Sequence, residues 1–402
     1  MGATKRFEYV VVVGKGHFAY RGYNLEELKD AGVRTILVDD DPLSNEEAVL
    51  IESLLSVDFT ATPEDEALRV QSALPDGAVR GICYIESLLP WAARFFAAIG
   101  VDFLSAEQAV AVRSKSALRK AFEVAGLHTP WNIKGTPSDL LAHDALEYPL
   151  IVKPDDGFSS IGVELLASHD ELVRYFARDN NVNAEQYVLE GVLDGAERSL
   201  EGFIRDGEVS VIGLTTKFKT SRPFFEELGH YIDPAVAPTP AHVDAVAATM
   251  RAMGISTSPF HFEFFEHHGD LLPVEVGARP GGDKIPYLHR RASGKSLLLT
   301  YLDKDHAYPS ESPSGVGIVF FVPAEAGTVV ADFPNETVAR ALGEHAFEAH
   351  AGKAVQAAPE DFFARLGFAV IVAPTVDEFL RNANERIDLM ERAAGIALHR
   401  LE

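Results

Sequence analysis

The sequence predicts an α/β (α+β) protein of several domains, on three observations. It opens with apolar strands alternating with helices, the pattern of a parallel doubly wound unit. Its middle is a run of strands joined by Asp-Gly turns, which favour antiparallel pairing. It closes with two more apolar strands and two helices. At 402 residues the chain exceeds one compact core, and roughly two to four domains are expected.

Residues 8–13 (EYVVVV) form a buried strand that runs into Gly14-Lys15-Gly16, then a helix near Leu25–Ala31 and a second strand, RTILVDD. Gly14, Gly16 and Ala19, with Asp39 ending the next strand, fit a loose dinucleotide fingerprint. The signal is weak, because any parallel unit needs a tight glycine turn after its first strand. A helix near Asp65–Ala73, the strand Val79–Tyr84 and a helix over Leu88–Ile99 complete the unit, which ends near Ser105. One helix is expected from Ser105 to Ala125, with Ser105 as N-cap and Gly126 after its end.

The strand PLIVKP carries Lys153 and opens into Asp155–Val163, where Gly157, Ser159, Ser160 and Gly162 make a loop. Lys115 and Lys153 are the two cations that need explaining. A lysine on a helix is usually just solvated, but one ending so apolar a strand beside a Gly/Ser loop is not. Such a loop can wrap a polyphosphate with its N–H groups and hydroxyls, and its glycines let it open and close. It is not a Walker A sequence. After a helix over Ser168–Arg178 come QYVLEGVLDG, RSLEGFIRDG and EVSVIGLTTKF. Glu190 and Glu197 flank a strand edge suited to adenine and ribose, although alone they are ordinary strand-end acids. Lys217 and Lys219 follow. Phe224–Asp233 reads as a polar, glycine-broken loop carrying Glu227 and His230, and Pro240–Met253 as a helix.

The stretch Pro259–Arg290 is the most informative. Read with period two, it is a hairpin turning at His268-Gly269-Asp270. One face is apolar: Phe260, Phe262 and Phe264, then Leu272, Val274, Val276 and Ala278. The other carries His261 and Glu263, then Glu275, Gly277 and Arg279. This register sets Glu263 opposite Glu275, Phe262 opposite Val276 and Phe264 opposite Val274, and a slip of one residue would destroy both faces. Opposed carboxylates about 5 Å apart at Cβ repel, so a cation is expected between them. Two exposed acids are the plain alternative, weakened here by Arg279 on the same face and the Pro-Gly-Gly-Asp turn that follows. Oxygen ligands without thiolate point to Mg²⁺ or Mn²⁺ at Glu263 and Glu275, with phosphates supplying the remaining ligands.

Apolar content of 47% and charged content of 24% are ordinary. A net charge of −24 argues against non-specific nucleic-acid or anionic-lipid partners. The single cysteine, Cys83, rules out an internal disulfide and is expected in a strand core. The N-terminal apolar run is too short for a signal peptide, and nothing is long enough to span a bilayer. A soluble cytoplasmic protein is the expectation. Residues 310–402 read as a separate α/β module with strands GIVFFV and FAVIVA and helices Glu336–Leu342 and Val376–Ala393, showing no chemistry of its own.

In this order (Lys115, Lys153-Pro154, the Asp156–Gly162 loop, Leu189-Glu190-Gly191-Val192, Glu263 and Glu275-Val-Gly-Ala-Arg279) the chain resembles the ATP-grasp superfamily over nearly its whole length, and most closely the L-amino-acid ligases. No single piece is specific; together and in order they are. The resemblance implies an ATP-grasp fold with a Rossmann-like pre-grasp domain over residues 1–105, a small subdomain with a Gly/Ser lid over 106–188, a large subdomain over 189–309 and the α/β module over 310–402. It implies ATP as nucleotide, Mg²⁺ or Mn²⁺ at Glu263 and Glu275, and nucleotide contacts from Lys115, Lys153, the loop, Glu190, Val192 and Glu197. Gly277 stands where many members have an asparagine metal ligand, which removes a ligand from a second metal site. Some amino-acid ligases share a small residue there, the Ala278-Arg279 pair, and an E-x-x-H matching Glu227–His230 that contributes to the amino-acid site. Asp283 replaces a bulky aromatic found in some ligases, which implies different selectivity or a role in orienting Lys284 or Arg279.

The implied activity joins a carboxylate to an amine through an acyl phosphate, the partners being small-molecule substrates such as amino acids. Arg279, Glu227 and His230 are the catalytic candidates. The alternatives are a biotin-carboxylase-like enzyme, a nucleotide-binding protein without turnover, and a nicotinamide oxidoreductase. The sequence leaves homo-oligomerisation and the identity of both substrates open.

Overall fold

A computed structural model describes residues 9–75, 79–178, 184–303, 314–332, 336–361 and 364–402. Glu8 and the 309/310 boundary lie outside the described residues. The chain opens as β1 (Tyr9–Val13), α1 (Phe18–Asp30), β2 (Arg34–Asp39), α2 (Asn45–Ala48), β3 (Ser53–Ser56), α3 (Pro63–Val70), β4 (Val79–Cys83) and α4 (Leu89–Ala98). These strands form a sheet in the order β3-β2-β1-β4, parallel throughout. Every residue of β1 is buried, as a strand covered on both faces requires. Cys83, the last residue of β4, is buried.

The helix expected over Ser105–Ala125 is two helices, α5 (Ala106–Ala111) and α6 (Lys115–Val124). The break has a local cause. Ser105 and Ser114 each cap a helix with their hydroxyls, accepting from Gln108 N and Ala117 N. The Asp155 carboxylate clamps the second start, accepting from Ser116 N at 2.9 Å and Ser114 Oγ at 2.9 Å. Lys115 thereby opens α6.

A small antiparallel sheet follows, in the order β5-β8-β6-β7. It comprises β5 (Asn132–Gly135), β6 (Leu150–Pro154), β7 (Glu164–Leu166) and β8 (Tyr187–Gly191), with α7 (Pro137–Leu141) and α8 (His169–Ala177) packed against it. The large sheet begins with β9 (Ala196–Arg205), β10 (Glu208–Lys219) and β11 (Glu227–Ile232), then α9 (Pro240–Ala252), β12 (Ser258–His267) and β13 (Asp270–Gly277). Then come α10 (Ile285–Ser293), α11 (Leu297–Leu302), β14 (Val316–Phe320), β15 (Gly327–Thr328), α12 (Glu336–Leu342), β16 (Glu344–Phe347), β17 (Ala354–Val355), β18 (Gly367–Val372) and α13 (Val376–Ala394).

The large sheet has eight strands in the order β13-β12-β9-β10-β11-β14-β18-β16. The C-terminal strands therefore extend the central sheet, apart from the β15–β17 ribbon, through β14 pairing with β11. That pairing overturns the loop expected over Phe224–Asp233: residues 227–232 are an interior strand with Leu228, Tyr231 and Ile232 buried. Gly229 does not break it. A Cβ there would lie 2.5 Å from the Ile318 carbonyl, so glycine is what lets β14 approach. The core under the hairpin is aromatic, with Phe260, Phe262 and Phe264 fully buried and Phe122 of α6 edge-on to Phe262.

Candidate active site

The hairpin brings the two acids face to face, with Glu263 paired to Glu275, Phe262 to Val276 and His261 to Gly277. Nearer the turn the expected register is off by one: Phe264 pairs with Pro273, not Val274. The turn is a tight two-residue one, His268 and Gly269 both at positive φ. A bulge at Val274 then restores the register before Glu275. In consequence Pro273 is buried and Leu271 packs on the core, while Val274 lines the cleft instead of the core.

Both acids line a cleft of about 490 Å³ between the parallel sheet, the small sheet and the large sheet. Lys115, Lys153, Val192, Glu190, Glu197, Glu227, His230 and Arg279 line the same cleft, as do Gly157, Ser159 and Ser160 of the loop. Gly162 stands behind it, its carbonyl accepting from Tyr175 Oη at 2.7 Å. Ser159 and Ser160 both have positive φ, near 55° (54° and 56°), a conformation that costs non-glycine residues on the order of 1–2 kcal/mol.

The lysines reach the cleft from the small-sheet side. Lys115 Nζ donates to the Gly157 carbonyl and lies 3.5 Å from Glu275. Lys153 Nζ pairs with Glu190, whose other oxygen takes Arg119 Nε at 2.9 Å. The Glu190 carboxylate is thus spent on holding Lys153 and Arg119 rather than facing a sugar as expected. Burial favours its neutral form, but Lys153 and Arg119 outweigh this and lower its pKa. Arg119 also donates to the Val274 carbonyl at 2.9 Å, so it fastens the hairpin bulge to the lysine strand. It stands four residues after Lys115 on the same helix face, a spacing visible in the sequence.

Lys217 is buried among acids: Glu263, Glu227 at 2.9 Å and Glu197 at 3.8 Å. Lys219 sits 2.5 Å from Glu197. Burial disfavours the Lys217 charge, but Glu227 and Glu263 more than compensate and hold its pKa well above the usual range. The same lysine, followed by His261, holds Glu263 well below its usual range against the effect of burial. His261 bridges Glu201 (2.6 Å) and Glu263 (2.9 Å). Burial would lower its pKa, yet Glu201 and Glu263 outweigh this and raise it to about 9, which favours the charged imidazolium. The charge matching the hairpin acids within the chain is therefore Lys217 and His261 for Glu263, and Lys115 for Glu275.

Glu227 and His230 lie three apart on a strand, which would normally put them on opposite faces. A bulge against β10, with Phe218 opposite Gly229 and Lys219 opposite Glu227, returns them to one face. Their atoms are 3.8 Å apart, and Glu227 Oε2 and both ring nitrogens of His230 are buried without a hydrogen bond. Arg279 donates to Glu86 through Nε at 3.0 Å, which holds it in the cleft. Asp283 orients neither Lys284 nor Arg279. It is gripped at 2.8 and 3.0 Å by Arg365, and lies 3.6 Å from His230. Arg365 and Glu348 bring residues of the C-terminal part into the cleft lining, where the sequence reading placed none of them. Glu86 follows the carboxyl end of a parallel strand, where ligand sites gather, and was legible by that rule; Arg365 carried no such signal.

The donor chemistry is that of a hard divalent ion, although Lys217 Nζ stands among the same acids within the chain. Oxygens of Glu197, Glu227 and Glu263 lie within 4.8 Å of one another, all three partly exposed to the cleft, with no thiolate among the donors. The cluster that forms is Glu263 with Glu197 and Glu227, while Glu275 faces Glu263 across the hairpin. No described helix is long and apolar enough to cross a membrane.

The cleft sets Lys115 and Lys153, from the side of the small sheet, against the acids of the hairpin in an α/β fold. Residues 146–286, about a third of the chain, match the ATP-grasp domain family. The chain is similar to the D-alanine–D-alanine ligase of Bacillus anthracis, 32% identical over 152 residues, which span 36% of this chain and 44% of that relative. In fold it is similar to the L-amino acid ligase of Bacillus licheniformis (TM-score 0.78, 21% identity, covering 99% of this chain and 100% of that one). It also resembles the ADP-bound N5-carboxyaminoimidazole synthetase of Staphylococcus aureus (TM-score 0.72, 13% identity, covering 96% and 99%).

Lys153 is expected to make nucleotide affinity pH-dependent. Burial pushes its pKa down to about 8 despite the raising effect of Glu190. Its charged form is the one that attracts phosphate, so affinity is expected to be full below pH 8 and to fall as pH rises through it. ATP affinity is expected to drop about tenfold per pH unit above 8. Titration calorimetry between pH 7 and 9.5 checks this, with Lys153→Arg expected to flatten the dependence.

Proposed function

We propose that the protein is an ATP-dependent carboxylate–amine ligase acting on small substrates of the amino-acid class. The reading rests on one observation above the rest: Lys115, Lys153, Glu263, Glu275 and Arg279 converge on a single cleft. Lys115 and Lys153 hold the nucleotide phosphates. Glu263 and Glu275 hold Mg²⁺ or Mn²⁺ with them, and the ion, when bound, offsets phosphate charge. A carboxylate oxygen of the first substrate attacks the γ-phosphorus, ADP leaves, and an acyl phosphate results. The amine of the second substrate attacks its carbonyl carbon, loses a proton and expels phosphate. Arg279, fixed by Glu86, stabilises the oxyanion formed as the amine adds. Glu227 Oε2 and His230, without hydrogen bonds within the fold, receive the ammonium and take its proton. The Gly157–Gly162 loop covers the site and keeps water from the acyl phosphate.

The test is a phosphate-release screen of amino acids, singly and in pairs, with mass spectrometry of products and a bicarbonate arm. Amide products with equimolar ADP are expected. Phosphate release that requires bicarbonate and no amine would assign the chain to the carboxylating branch of the fold instead.

A further inference from the structure

The cations lining the cleft are matched almost one to one by acids. Lys115 faces Glu275, Lys153 faces Glu190, Lys217 faces Glu263, Lys219 faces Glu197, Arg279 faces Glu86 and Arg365 faces Asp283. Arg21 is the exception. It projects from α1 into the cleft, and among the described residues its guanidinium makes no ion pair or hydrogen bond, only its backbone being engaged, with His17 and Asn24.

Two glycine loops make room for it. A Cβ on Gly16 would lie 2.7 Å from Arg21 Cδ, and one on Gly282 would lie 3.9 Å from Arg21 Nη2 with nothing else near. The loop after β1, with its dinucleotide-like glycines, is therefore accounted for by packing around Arg21 and Ile85. Burial, and then the neighbouring Arg279, act against the Arg21 charge. A half-buried guanidinium beside a second one, with no acid of its own, is a receptor for an anion.

The position says which anion. Arg21 borders the Gly282-Asp283 turn, and Asp283 lies 3.6 Å from His230. The anion site and the unbonded Glu227–His230 pair thus flank the same turn, while the phosphate lysines enter from the small sheet. We infer that Arg21 binds the carboxylate of the amine-donating substrate and so makes the protein select amino acids over their carboxamides. This rests on the ligase reading above.

The test takes the most active amino-acid pair from the screen and replaces the amine-side member by its α-carboxamide, which can serve only as the amine. Wild type is expected to favour the acid over the carboxamide about 10- to 100-fold in kcat/KM, the worth of a charge-assisted hydrogen bond. Arg21→Gln should raise KM for the acid by that factor, leave kcat within about threefold and leave the carboxamide unaffected. Arg21→Lys, which keeps the charge, should recover part of the preference and shows that the site tolerates substitution. An equal loss with acid and carboxamide, or weaker ATP binding in Arg21→Gln, would overturn the assignment and give Arg21 to the phosphates. So would a wild type that treats acid and carboxamide alike while turning over. If no pair releases ADP in wild type, the ligase reading fails first and this one falls with it.

Discussion

Replacement of Glu275 by Gln is expected to lower amine-dependent ADP release about 10²- to 10³-fold while leaving the fold intact, the loss typical of removing one preorganised charge from a phosphoryl-transfer site. The side chain is partly exposed to the cleft, and its ion-pair partner, Lys115, is 3.5 Å away. Little of the structure leans on it. Glu263 differs, because Lys217 and the His261 cation are both balanced on it. Removing Glu263 leaves two buried charges short of an acid, so its loss mixes stability with chemistry. Glu275→Gln separates them. Thermal unfolding within a few degrees of wild type, weaker Mn²⁺ binding in the presence of a non-hydrolysable ATP analogue, and lost turnover should appear together. Near-full turnover in this variant would show that the hairpin acids are not the metal pair.

Arg119→Ala is expected to destabilise the protein by about 3–5 kcal/mol, the range for breaking a buried ion pair by removing one partner. Arg119 is fully buried and joins Glu190 to the carbonyl at the Val274 bulge. Without it Glu190 keeps only Lys153, and the Val274 carbonyl loses its charged donor. Arg119→Lys should restore little, since one ammonium lacks the planar fork that reaches both groups. Urea denaturation measures the loss, and nucleotide affinity should fall with it because Lys153 is held from the same carboxylate. A wild-type midpoint for Arg119→Ala would show that Lys153 alone suffices to hold Glu190.

Much of the site could be read in advance. The alternation over Pro259–Ala278 identified the buried phenylalanines and the facing acids, because a half-buried strand sorts its side chains two by two. Around Val274 the same reasoning failed. A two-residue turn and a bulge shifted the register in opposite senses, leaving the Glu pair correct and its neighbours displaced. Residues 227–232 failed for a related reason. Glycine and charge looked like loop signals, but Gly229 admits β14, and Lys217 and Lys219 neutralise Glu227 from the neighbouring strand.

What the sequence alone determined was the cast: which lysines, which acids, which arginine, and the face of the hairpin that carries them. Those features follow from local spacing. Only the tertiary structure decided the partners, since Arg279 meets Glu86 across 193 positions and Asp283 meets Arg365 across 82. Charge pairing in a cleft depends on distances through space, and among the described residues this pairing leaves the Arg21 guanidinium without an acid.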